Sequence, residues 1–106
     1  MNKTSKKHER NITKALTKVC EYLKYEIEGF AWITHTVDYA HFPDSLVITC
    51  VFDTQEHLNK AIEQQNDLFL IKYIKQTLLQ HSILLNSAKL NLKFDTEENG
   101  ASDKLL

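Results

Sequence analysis

The stretch 69–95, FLIKYIKQTLLQHSILLNSAKLNLKFD, changes its hydrophobic period partway along. Ile71, Ile74, Leu78, His81 and Leu85 recur every three or four residues, so they form one stripe of a helix predicted from Leu68 to about Leu84. Ala88, Leu90, Leu92 and Phe94 then alternate with Lys89, Asn91 and Lys93, the period-two pattern of a strand with one wet face. A helix followed by a strand therefore closes the ordered part of the chain.

Upstream, the same two periods divide the rest. Ile12, Leu16, Val19, Leu23 and Ile27 follow one another at spacings of four, three, four and four, which predicts a helix over residues 11–28 closed by Gly29. Over residues 30–39 the period becomes two, with Ala31, Ile33, Val37 and Tyr39 alternating with Trp32, Thr34, Thr36 and Asp38. Residues 40–45 hold the only proline and read as a loop, and a second strand follows at 46–52, expected to pair with the first as an antiparallel hairpin. Asp53, with Glu56 three residues on, reads as the cap of a short helix reaching about Gln65. Asn66 and Asp67 interrupt it, and Asp67 is expected to cap the next helix; one bent helix over 54–84 fits the pattern as well as two.

The resulting fold class is α+β in the order α-β-β-α-α-β, expected as an antiparallel three-stranded sheet backed by helices on one face. Residues 1–10 form a basic N-terminal extension, 11–94 the domain, and 95–106 an acidic flexible tail. A chain of 106 residues holds one core and no second module.

Composition narrows the function classes. The apolar share is 42% and the charged share 25%, ordinary for a globular domain. Apolar runs are far shorter than the roughly 20 residues that cross a bilayer, and the first residues lack the apolar segment of a secretory signal. No membrane partner and a cytoplasmic location are expected. Cys20 and Cys50 have no CxxC spacing and read as reduced, packed thiols. The net charge of −1 conceals a split: residues 1–24 carry seven basic and two acidic side chains, and residues 25–106 carry six basic and twelve acidic ones. Such an asymmetry orients a charged partner even near neutrality.

The order of elements over residues 11–94 resembles the bacterial-type (type II) KH domain. In chain length, element order and the 69–95 run, the chain is similar to the ribosome-binding factor A family. That resemblance implies association with structured RNA or a ribosomal particle. In KH domains a GxxG loop between the two consecutive helices lets a nucleic-acid backbone approach the following helix N-terminus. Here the junction reads Gln64-Gln65-Asn66-Asp67, with no glycine and with a carboxylate where a phosphate would sit.

The residues themselves offer two candidate surfaces. Lys3, Lys7, Arg10, Lys14 and Lys18 recur at helical spacing opposite the apolar stripe and, with Gln64, Gln65, Asn66 and Lys72, are the nucleic-acid-binding candidates. A solvated helix face produces the same pattern. On the outer sheet face Trp32, Thr34, Val47 and Val51 are candidates for a protein interface, as are Phe69 and Tyr73 on the third helix. Packing inside the domain is the competing explanation for those aromatics.

Catalysis has little in its favour. The five histidines show no metal-ligand spacing, and no phosphate loop or nucleophile motif occurs, so no catalytic residue, metal, cofactor or small-molecule substrate is expected. The leading expectation is a non-enzymatic binding module acting on RNA or a ribosomal subunit through its basic first helix and the start of the third. A protein-interaction or homodimerisation module around Trp32 is the second, and a DNA-binding regulator reading 54–84 as helix-turn-helix the third.

Overall fold

The computed structural model describes residues 3–85 and 90–99. Helix α1 runs from Lys3–Glu26, strand β1 from Phe30–Thr36, strand β2 from Val47–Phe52, helix α2 from Gln55–Glu63, helix α3 from Asn66–Gln80 and strand β3 from Asn91–Thr96. Short 3₁₀ turns occupy Tyr39–His41 and Glu97–Asn99. The expected α+β order is present, with two helices rather than one bent helix between β2 and β3.

The sheet order is β1-β2-β3. The hairpin pairs β1 and β2 antiparallel as expected, but β3 runs parallel to β2, so the sheet is mixed and not all antiparallel. The connection explains the difference. A hairpin reverses the chain within a few residues, whereas α2 and α3 carry it back across the sheet before β3 begins, as a parallel pairing requires.

Five element boundaries differ from those expected. The first helix starts at Lys3, so residues 3–10 belong to α1 and are not a separate extension. Thr54, not Asp53, is the cap of α2, its hydroxyl accepting from the His57 amide at 3.1 Å, and the amide of Gln55 donates to Glu98 beyond β3. Gln65, not Asp67, precedes α3, and its φ of 61° places it in the left-handed region. At the other end α3 stops at Gln80: Ser82 has φ 65° and the Ile83 amide bonds back to the Leu78 carbonyl at 2.9 Å. That is a Schellman closure without its usual glycine, sealed by the buried Ile83. Finally β3 begins at Asn91 and includes Asp95 and Thr96, which the sequence assigns to the tail; Ala88, Lys89 and residues 100–106 lie outside the described residues.

One core joins the layers. Ile12, Leu16, Val19 and Leu23 from α1 meet Leu70, Ile74 and Leu78 from α3, and both rows lie on Ile48, Cys50 and Phe52 of β2. Phe30 enters this core because the pairing slips by one residue between Phe30 and Trp32. Without that bulge, strict alternation would put Phe30 on the same face as Trp32. Its ring instead meets Phe52 edge-on at 5.7 Å.

Candidate functional site

Because α1 is a single helix from Lys3, the five predicted cations share one face. Ile12, Ala15, Leu16, Val19 and Leu23 are buried, and Lys3, Lys7, Arg10, Lys14 and Lys18 project on the opposite, solvent-exposed side. At 1.5 Å per residue the row is roughly 22 Å long. Lys7, Arg10, Lys14 and Lys18 make no ion pair among the described residues, so their charge is directed to solvent. Glu21 is the acid nearest the end of the row.

Beyond Lys18 the row continues as aromatic residues. Tyr22 follows by four positions and Tyr25 by three more, the spacing that keeps side chains on one helix face. Tyr25 is 92% exposed, and Tyr22 and Phe69 are each 41% exposed. Tyr22 joins α1 to the start of α3: its ring lies 4.8 Å from that of Tyr73 and 6.5 Å from that of Phe69, and Phe69 and Tyr73 are nearly parallel at 5.9 Å. Lys72 is exposed on the same helix. Thus Phe69 and Tyr73, predicted as part of a protein interface, stand at the end of the cation row. Tyr22 and Tyr25 are absent from the sequence-derived candidates although their spacing continues that row.

Gln64, Gln65 and Asn66 are placed differently. Gln64 and Asn66 line a cleft of about 250 Å³ with Glu26, Glu28, His57 and Lys60, at the C-terminal end of α1. Lys18 and Glu26 are eight residues apart, roughly 12 Å along a helix, and two carboxylates flank the junction. His57 organises this corner. Its Nδ1 is 2.7 Å from Asp53 Oδ1 and its Nε2 2.9 Å from Glu28 Oε1. The hydrogen bond with Asp53, reinforced by Glu28, holds the His57 pKa above its ordinary value, and the same bond holds that of Asp53 below the usual carboxylate range. With both ring nitrogens turned to carboxylates, His57 is suited to donating two bonds, not to ligating a metal. Asp53 and His57 are four residues apart in sequence, but nothing in the sequence marks Glu28 as their partner.

The sheet face that points away from the core cluster has the register expected of it. Trp32, Thr34 and Thr36 stand opposite Val51, Thr49 and Val47, which pair in turn with Asp95, Lys93 and Asn91. Thr34 and Thr36 are exposed and Val47 is half-buried. Val51 is only 1% exposed, so as a surface residue it is corrected: it sits in the central strand between Trp32 and Asp95. Trp32 is half-buried, and its indole Nε1 is enclosed with no hydrogen-bond partner among the described residues.

The loop after β1 and the histidines beside it make contacts within the domain. Phe42 stacks on His8 of α1 at 4.0 Å and lies 6.1 Å from Tyr39, and burial raises the Tyr39 pKa. Asp38 closes this loop through mutual bonds with Ser45 and a 3.0 Å contact with His41. His35 is half-buried opposite Ile48, and desolvation lowers its pKa despite the nearby Glu9. It lines a groove of about 440 Å³ between α1 and β1, with Cys20 and Ile33.

No protein-family model, curated protein or solved structure matches this chain. No helix among the described residues is long and apolar enough to cross a membrane.

Proposed function

We propose that the protein is a small non-enzymatic binding module that associates, in the cytoplasm, with structured RNA or a ribosomal particle through α1 and the start of α3. The observation that carries this reading is the uninterrupted row of Lys7, Arg10, Lys14 and Lys18, exposed and free of ion pairs among the described residues. A row of cations roughly 16 Å long follows a phosphate backbone and gains affinity by releasing counterions. The resemblance to KH-type domains supports the same reading, with a difference of place: the phosphate-contacting surface is α1, because Glu26 and Glu28 flank the junction where GxxG would lie. Salt-dependent retention on ribosomal RNA or ribosomal subunits tests it. Binding that weakens steeply with salt and is lost in Lys14→Glu/Lys18→Glu is expected; equal retention of the wild type and this variant overturns the reading.

A second reading rests on the sheet face around Trp32. Trp32, Val47 and the threonines around them share the sheet face that points away from the core cluster, with Thr34 and Thr36 exposed. On this reading the face docks a protein or a second copy of the chain. Self-association that Trp32→Ala abolishes supports it, and a monomer at high concentration by light scattering counts against it.

A further inference from the structure

The geometry points to a base-stacking platform formed by Tyr22, Tyr25, Phe69 and Tyr73, fed by Lys14 and Lys18, so that the ligand is an RNA with unpaired nucleotides beside a duplex. This inference rests on the RNA reading above and specifies its ligand.

Exposure comes first. Tyr22 and Phe69 give up part of their surface to the contact between the two helices but each keeps 41% exposed, and Tyr25 keeps 92%. Three of the four rings are also mutually supported, with centroids 4.8 to 6.5 Å apart, which fixes their planes before any ligand arrives. A base that stacks on a ring already held in place orders fewer side chains on binding.

Charge identifies the occupant. Lys14 and Lys18 precede Tyr22 and Tyr25 on the same helical face, so a chain lying along α1 passes from cations to rings without changing direction, with the single carboxylate of Glu21 beside that path. Seven residues separate Lys18 from Tyr25, roughly 10 Å along the axis. An acidic protein segment satisfies the lysines but has no flat faces for the rings. A duplex satisfies the lysines but keeps its bases stacked inside. Unpaired nucleotides next to a duplex supply both, since phosphates meet cations and bases meet aromatic faces.

Fluorescence anisotropy with two labelled RNAs tests this: one hairpin with blunt ends, and the same hairpin carrying a short single-stranded tail. Wild-type protein is expected to bind the tailed RNA at least about fivefold more tightly, the lower end of what stacking one base contributes. Tyr25→Ala and Phe69→Ala should remove that preference while leaving blunt-hairpin affinity and its salt dependence intact, and Tyr25→Phe should keep the preference. Because Tyr25 is almost fully exposed, its replacement does not endanger the fold. Equal affinity for the two RNAs overturns the platform and leaves the phosphate-following row in place. Absence of binding to both overturns the RNA reading as well, and retention of an acidic protein that depends on Tyr25 assigns the surface to protein instead.

Discussion

Gly29 lies directly against the side chain of His57: a Cβ built at position 29 would overlap the His57 Cβ and imidazole. The same glycine has φ +85°, a conformation that L side chains rarely adopt. Two independent requirements therefore meet at one residue, where the chain leaves α1 and enters β1 and where its carbonyl accepts the Asp53 amide at 2.8 Å.

Gly29→Ala is accordingly expected to destabilise the domain by more than about 2 kcal/mol, combining the left-handed strain with displacement of His57. Urea unfolding of the two proteins measures it, and a loss below about 0.5 kcal/mol would show that the corner yields easily.

The His57 cluster makes stability depend on pH in a definite direction. The folded pKa of His57 lies above 6.5, so its contribution is complete below about pH 6.5 and is lost as pH rises through the folded value. That of Asp53 lies below 3.8, so its contribution is present above about pH 3.8 and is lost as pH falls through the folded value. Together they act most strongly between these limits. His57→Gln should lower the melting temperature most in that window, and the gap between the two melting curves should narrow as pH is raised toward 9.

Gln65 poses the reverse case from Gly29. Its φ of 61° holds an ordinary side chain in the left-handed region at the turn between α2 and α3, a conformation that costs about 1 to 2 kcal/mol for an L-residue. Gln65→Gly should therefore stabilise the domain by about 0.5 to 1 kcal/mol after the greater freedom of glycine in the unfolded chain is counted. A destabilisation on chemical unfolding would mean that the Gln65 side chain contributes contacts outweighing the strain.

The lysine row separates binding from folding. Lys14 and Lys18 are exposed and unpaired among the described residues, so Lys14→Glu/Lys18→Glu should change the unfolding midpoint little. The same variant should weaken RNA binding by an order of magnitude or more. Replacing one phosphate-contacting lysine with alanine should flatten the plot of log affinity against log salt by about one.

The two cysteines should react unequally. Cys50 is fully buried, and burial pushes its thiol up to about 12, so little thiolate is available to an alkylating reagent. Cys20 is half-buried and lines the groove beside β1. Iodoacetamide at pH 8, followed by mass spectrometry, should modify Cys20 in the native protein and Cys50 only after denaturation.

Local periodicity was enough to identify α1, the β1–β2 hairpin and the alternating face of β3, because a helix or strand with one buried side repeats its apolar residues at 3.6 or 2. It also placed Lys3 through Lys18 on one face, since that follows from helix geometry alone. The same logic failed where an element ends by a bond between distant groups or by an unusual backbone angle. Ser82 and Gln65 take left-handed conformations without being glycine, so neither the end of α3 nor its start was marked in composition.

The bulge that turns Phe30 inward is likewise invisible to alternation, because it is imposed by pairing with β2. The parallel direction of β3 depends on how α2 and α3 return across the sheet, and a strand's own residues carry no record of its neighbour's direction. The candidate surface divides the same way. From the sequence came the cations of α1, a property of one helix; that their row ends on Tyr22 against Phe69 and Tyr73, and not at the Gln64–Asn66 junction, was decided by the packing of α1 on α3. Contacts between residues some fifty positions apart arise only when the shared core brings the two helices together.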